Sequence, residues 1–199
     1  MQVHEPQIYL ASRSPRRKEL LQQIALPFRV VDVSVDEYAD DYESAEVMVI
    51  RLALEKARAG WEKVRDKAPM PVLGADTAVV LEDNTILGKP VDRDEGMNML
   101  RTLSGTSHRV LTGTALVDDR EATRLSVTTV TFREMEEDEI SRYWDTGEPE
   151  GKAGSYAIQG RGAVFVDHIE GSYSGVMGLP VYDVVDLLAE FALDYRRAW

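Results

Sequence analysis

Residues 108–132, HRVLTGTALVDDREATRLSVTTVTF, decide the fold. Two alternating, β-branched runs flank Asp119-Arg120, the pattern of long strands paired through a tight turn. Just upstream, PVLGADTAVVLEDNTILGKP (71–90) reads as strand, turn, strand, with Asp83-Asn84 supplying the turn residues. Outside this middle region, helices and strands alternate. The hairpins therefore turn what would be a purely parallel α/β sheet into a mixed one.

Working outward, IYLAS (8–12) has the pattern of a buried strand. Ser14 is placed to cap a helix whose first position is Pro15, where a missing N–H costs nothing. Leu20, Leu21 and Ile24 recur there at helical spacing. FRVVDV (28–33) is a second strand, followed by an acidic loop. Ser44 caps a long helix reaching about Trp61, with Val47, Ile50, Leu54, Ala57 and Trp61 along one face. Asp92 and Glu95 have capping-box spacing and open a helix to about Leu103. EEDEISRYWDTG (136–147) is a helix with acids in its first turn and Gly147 at its end. The glycine-rich GKAGSYAIQGRG (151–162) leads into the strand AVFVDHI (163–169), and Pro180 opens a last helix. No repeat or linker interrupts the chain, so a single domain over 1–199 is expected.

Composition narrows the function classes. Apolar residues make up 44% of the 199, enough for a sizeable core. There is no cysteine, which removes disulfides, thiolate metal sites and a thiol nucleophile. No apolar run approaches the roughly 20 residues of a membrane span. The N-terminal segment lacks the basic-then-apolar order of a signal peptide, so a soluble cytoplasmic protein is expected, with no membrane partner. The formal charge of −12 opposes binding to a nucleic acid, whose affinity comes from clustered cations. It leaves room for one small anion held by local cations.

Such cations stand at a strand-to-helix junction, LASRSPRRKELL (10–21). A helix N-terminus carries free N–H groups and partial positive charge, so Ser12, Ser14, Arg16 and Arg17 there make an anion site. Taken alone, a capped surface helix with solvated arginines is the better reading. Three other segments shift the balance. LGADT puts Asp76 and Thr77 at the end of an apolar strand, where a carboxylate can hold Mg²⁺ or orient water. ILGKP puts Lys89 just after a strand. Gly151, Gly154, Gly160 and Gly162 permit close approach of backbone to a ligand, and Tyr156, Ala157 and Ile158 point to an ordered loop rather than a flexible one. The plainer readings are a turn aspartate, a solvated lysine and an ordinary loop.

Taken in order, LASRSPRRKELL, VDE, RLALEKA, GADT, LGKPVD, LSGTSHRVLTG, GKAGSYAIQG and GLP resemble the Maf family of nucleoside triphosphate pyrophosphatases, nearly end to end. The resemblance implies a mixed α/β fold in two lobes around a central cleft, similar to inosine triphosphatase-like folds. It implies a divalent cation (Mg²⁺ or Mn²⁺) and water attack on the α-phosphorus of a nucleoside triphosphate, with pyrophosphate leaving. The family's catalytic aspartate falls on Asp76, and its metal ligands on Glu37 and Asp76. Substrate positions fall on Ser12, Arg16, Arg17, Lys56, Thr77, Lys89 and Gln159, with Lys152 in a matching motif. Asp76 can bind metal, accept the water's proton, or both. A homodimer is a family-level expectation. His4, His108 and His168 are not spaced as a metal cluster, and none is assigned to catalysis. Trp61, Trp144 and Trp199 are read as packing residues.

SPRR, GADT and AIQG match the subgroup associated with dTTP and UTP. Another subgroup, associated with 7-methyl-GTP, carries a tryptophan in the first motif, SDQ for ADT, and a glutamate near position 159. The Gln159 amide offers both a donor and an acceptor, suiting the O4 and N3–H edge of uracil or thymine. Modified pyrimidine triphosphates fit the same reading. The competing readings are a 7-methyl-GTP pyrophosphatase and a non-catalytic nucleotide-binding regulator of septum formation.

Overall fold

Ile8–Leu10 (β1) is wholly apolar and wholly buried, so it runs between two neighbours. It pairs in parallel with Phe28–Val30 (β2) through Ile8↔Phe28 and Leu10↔Val30. It also pairs in parallel with Val72–Val80 (β3) through Tyr9↔Val72 and Leu10↔Leu73. Further along, β3 pairs antiparallel with Ile86–Leu87 (β4), Val80 opposite Ile86. Asn84 turns that hairpin with a positive φ of 69°. The long hairpin is Ser107–Val117 (β5) and Glu121–Phe132 (β6), and Val166–Glu170 (β7) runs antiparallel to β6. The strand order is β2-β1-β3-β5-β6-β7, with β4 on β3. The sheet is mixed, as the central hairpins require. The computed structural model describes residues 5–36 and 43–198.

The chain divides into two compact units: residues 1–76, 112–126 and 178–199, and residues 77–111 and 127–177. In the first, the helices are Pro15–Gln23 (α1), Ala45–Val64 (α2) and the C-terminal helix Val181–Glu190. Ser44 caps α2, its hydroxyl accepting from the Val47 N–H at 3.4 Å. The face that α2 buries differs from the expected one. Val47 is 55% exposed, whereas Met48, Val49, Leu52, Ala53, Lys56, Ala57 and Gly60 are buried. Small residues set that face. A Cβ on Gly74 of β3 would stand 2.2 Å from the Ala53 carbonyl oxygen, and one on Gly113 of β5 2.3 Å from that of Val49. Glycine at both positions lets the helix backbone lie directly on the strands. Trp61 packs against the clusters on either side of this contact, around Tyr9 and Val72 and around Ala115 and Val117.

The second unit contains Arg93–Leu103 (α3), Glu137–Trp144 (α4) and a four-residue helix, Tyr173–Val176 (α5); with α5 numbered, the C-terminal helix is α6. Asp92 caps α3, accepting from the Glu95 N–H at 2.9 Å. The Trp144 ring fills the space beside Gly96, where a Cβ would meet it at 2.0 Å. Both described tryptophans are thus packing residues. His108, Phe132 and Tyr156 form an edge-to-face cluster with centroids 4.9–5.5 Å apart.

Candidate functional site

The first unit holds two side-chain nodes. At the start of α1, Ser12 Oγ accepts from the Ser14 N–H and from an Arg17 N–H, each at 3.2 Å. Arg17 also donates to the Gly178 carbonyl at 2.8 Å, which ties the junction to the turn before α6. Ser14 does not cap α1 with its side chain, contrary to expectation. Its own N–H is held by Ser12, and Pro15 occupies the first helical position, where a missing N–H costs nothing. The α1 terminus therefore keeps N–H groups uncapped by Ser14, in the arrangement by which helix ends take anions. Arg16 is half-buried, and desolvation lowers its pKa, though a guanidinium stays charged.

The second node joins α2 to β3. Lys56 Nζ donates to Asp76 Oδ1 at 2.6 Å, with side chains only 10% and 14% exposed. Asp76 is not at a strand end: β3 runs on through Val80. Pairing with β1 is made by Val72 and Leu73 and pairing with β4 by Val79 and Val80, so the carboxylate sits between the two. The polar pair Asp76-Thr77 lies mid-strand because a lysine meets the carboxylate there. Successive strand residues face opposite sides. Asp76 shares a face with Gly74, toward α2, and Thr77 does not.

The second unit carries Thr77, Lys89, Lys152 and Gln159. Lys89 is exposed, and its neighbour Gly88 accepts from the Gly154 N–H at 3.1 Å, which joins the LGKP segment to the glycine-rich loop. That loop is ordered, as Tyr156, Ala157 and Ile158 indicated: all three are buried. Tyr156 Oη and His108 Nε2 lie 2.9 Å apart. Burial lowers the His108 pKa to about 4, so the ring is neutral at physiological pH, and it pushes the Tyr156 hydroxyl up. His108 is a packing residue. Gln159 stands exposed on this anchored base.

Two residues, Glu148 and Tyr143, escaped the sequence reading. The Glu148 carboxylate accepts from the N–H groups of Arg161 and Gly162, both at 3.0 Å, and from the Tyr143 hydroxyl at 2.8 Å. Lys152 Nζ donates to the Glu148 carbonyl. The partners lie 13 and 14 residues downstream on the backbone, which no side-chain motif advertises.

Glu37 lies outside the described residues. Among the described residues, no three His, Asp or Glu side chains gather as a metal cage. Mg²⁺ on a nucleotide takes one or two carboxylates and completes its shell with waters and phosphate oxygens. Asp76 is a hard-oxygen donor of the required kind.

A family model described as Maf-like protein matches residues 7–191. A dTTP/UTP pyrophosphatase of Alkalilimnicola ehrlichii is 61% identical over 199 residues, covering 98% of each chain. One from Chromobacterium violaceum is 46% identical over 197 residues, covering 98% of this chain and 99% of its own. Among solved structures, a nucleoside-triphosphatase (dITP/XTP pyrophosphatase) of Mycobacterium abscessus aligns at TM-score 0.42 and 17% identity, covering 64% of this chain and 74% of its own.

Proposed function

The chain belongs to the Maf-like protein family, and from that premise we propose that it is a nucleoside triphosphate pyrophosphatase acting on dTTP and UTP. The near-complete overlap with relatives of that name supports the substrate, and the Lys56–Asp76 pair carries the hydrolytic reading. Lys56 holds one oxygen of Asp76 in a fixed direction, so the carboxylate is preorganised to orient an attacking water or take its proton. The water oxygen bonds to the α-phosphorus, the bond from that phosphorus to the bridging oxygen breaks, and pyrophosphate leaves. Arg16 and Arg17 beside the α1 N-terminus offer fixed positive charge to the phosphates, with Ser12 holding Arg17 in place. Family resemblance assigns Lys89 to the same charges, and Thr77 and Gln159 to the base.

Asp76, with Glu37, would hold a divalent cation. When bound, that cation would polarise a phosphate and lower the pKa of its water. The net charge of −12 supports a free nucleotide rather than a nucleic acid as the ligand.

The test is product analysis across the common triphosphates and 7-methyl-GTP with Mg²⁺. Monophosphate and pyrophosphate are expected, with dTTP and UTP exceeding CTP and the purines by about tenfold or more in kcat/KM. A diphosphate with free phosphate would place the attack elsewhere. A preference for 7-methyl-GTP would reassign the subgroup, and no turnover at all would favour a nucleotide-binding regulator.

A further inference from the structure

The turn that carries Gln159 is fastened at both ends by one pair of side chains. At its start, the Ala157 N–H donates to the Tyr143 hydroxyl at 3.1 Å. At its end, the Arg161 and Gly162 N–H groups donate to Oε2 and Oε1 of Glu148 at 3.0 Å. The Tyr143 hydroxyl donates in turn to Glu148 at 2.8 Å and closes the ring of contacts. Within the turn, the Gly160 N–H donates to the Ala157 carbonyl at 3.1 Å. The space for this clamp is built into the sequence. A Cβ at position 160 would stand 2.3 Å from Glu148 Oε2, and one at 162 would stand 2.7 Å from Tyr143 Oη. Tyr143 is itself fixed, 4% exposed and edge-on to Phe165 at 5.1 Å.

Burial would raise the Glu148 pKa, but the two backbone N–H groups, the tyrosine hydroxyl and nearby Lys152 outweigh it, and the carboxyl is held below its ordinary range. A carboxylate in place at all working pH values can accept all three bonds at once; an amide cannot, because one of its two heads is a donor.

We propose that Glu148, with Tyr143, is a positioning residue for base selection: it fixes the 157–162 turn so that the Gln159 amide meets the pyrimidine edge in one orientation. This rests on the function proposed above. Hydrogen-bonded selection depends on donor and acceptor being held in register, since a misplaced amide can serve the wrong base. Glu148 need not touch substrate. Loosening the turn should weaken recognition of the right base while leaving bond cleavage nearly intact.

The experiment is kcat and KM for dTTP, UTP, CTP and GTP with wild type, Glu148→Gln and Tyr143→Phe. In Glu148→Gln, KM for dTTP and UTP should rise about tenfold with kcat changed less than about threefold. CTP and GTP should change little, so the selectivity ratio narrows. Tyr143→Phe frees the Ala157 N–H but leaves Glu148 on its two amides, and should narrow the ratio by a smaller factor. In backbone NMR spectra of the free protein, the Arg161 and Gly162 amides should shift in Glu148→Gln. If Glu148→Gln does not fold, Tyr143→Phe decides. A ratio that stays at the wild-type value in a folded variant overturns the inference, whatever happens to Tm. A wild-type enzyme with no pyrimidine preference overturns the substrate reading instead, and this inference with it.

Discussion

Lys56 and Asp76 lie 2.6 Å apart with little access to water, so neither can be removed without consequence for the other. Removing one partner of a buried pair costs about 3–5 kcal/mol, because the remaining charge has no compensation. Asp76→Asn keeps an oxygen that can accept from Lys56, whereas Asp76→Ala does not. Both should lose at least roughly 10²-fold in kcat, the scale of a lost base or metal ligand. Thermal unfolding should separate them, with the alanine variant melting well below the asparagine variant. Equal kcat to wild type in a folded Asp76→Asn would move the chemistry to another residue. His108 gives a second prediction at this scale. Its pKa falls from 6.5 in the open chain to about 4 in the fold, through burial. Between those values the unfolded chain binds the extra proton, so stability falls as pH drops through this window and is fully present above it. The loss should approach about 3 kcal/mol at the acid end. Chemical denaturation from pH 7 to 4 measures it, and His108→Gln should flatten the curve.

Element α2 is held in register by absence of side chains. Gly74 and Gly113 leave its backbone against β3 and β5. Gly74→Ala would drive a methyl into the Ala53 carbonyl, which is backbone and cannot rotate aside. Overpacking of this kind costs about 1–3 kcal/mol or more, and here it should also displace Lys56 from Asp76 and lower kcat. Gly88→Ala, with nothing within 4 Å of the added carbon, should change stability by under about 0.5 kcal/mol. Melting curves of the two variants test the contrast; a silent Gly74→Ala would mean that the close approach is not needed. The start of α2 was legible, because Ser44 announces it by a local rule; its end was expected near Trp61, and the helix runs on to Val64. Its buried face was not legible. Beside Met48, Val49, Leu52 and the expected Ala57, that face includes Ala53, Lys56 and Gly60, residues that a search for large apolar side chains passes over, while Val47 points to solvent.

For the whole molecule, the metal prediction is the broadest. The cation proposed at Asp76 and Glu37 would share its shell with water and substrate oxygens. EDTA should therefore abolish turnover while leaving the melting temperature of the substrate-free protein nearly unchanged. A large drop in Tm on chelation would instead indicate a structural metal, and full turnover in EDTA would remove Asp76 from a metal role.

The sequence alone determined the mixed sheet, the helix starts at Ser44 and Asp92, and the residue types offered to a phosphate. These follow from local periodicity, turn chemistry and charge, which neighbouring residues fix among themselves. Tertiary structure decided the rest. It set Asp76 inside β3 rather than at its end, because Lys56, 20 residues away, meets the carboxylate there. It turned Ser12, not Ser14, into the hydroxyl that organises the α1 junction, because Arg17 folds back onto it. It gave Glu148 its place under the Gln159 turn, because backbone N–H groups carry no sequence signature and acquire a partner only when the chain brings one to them.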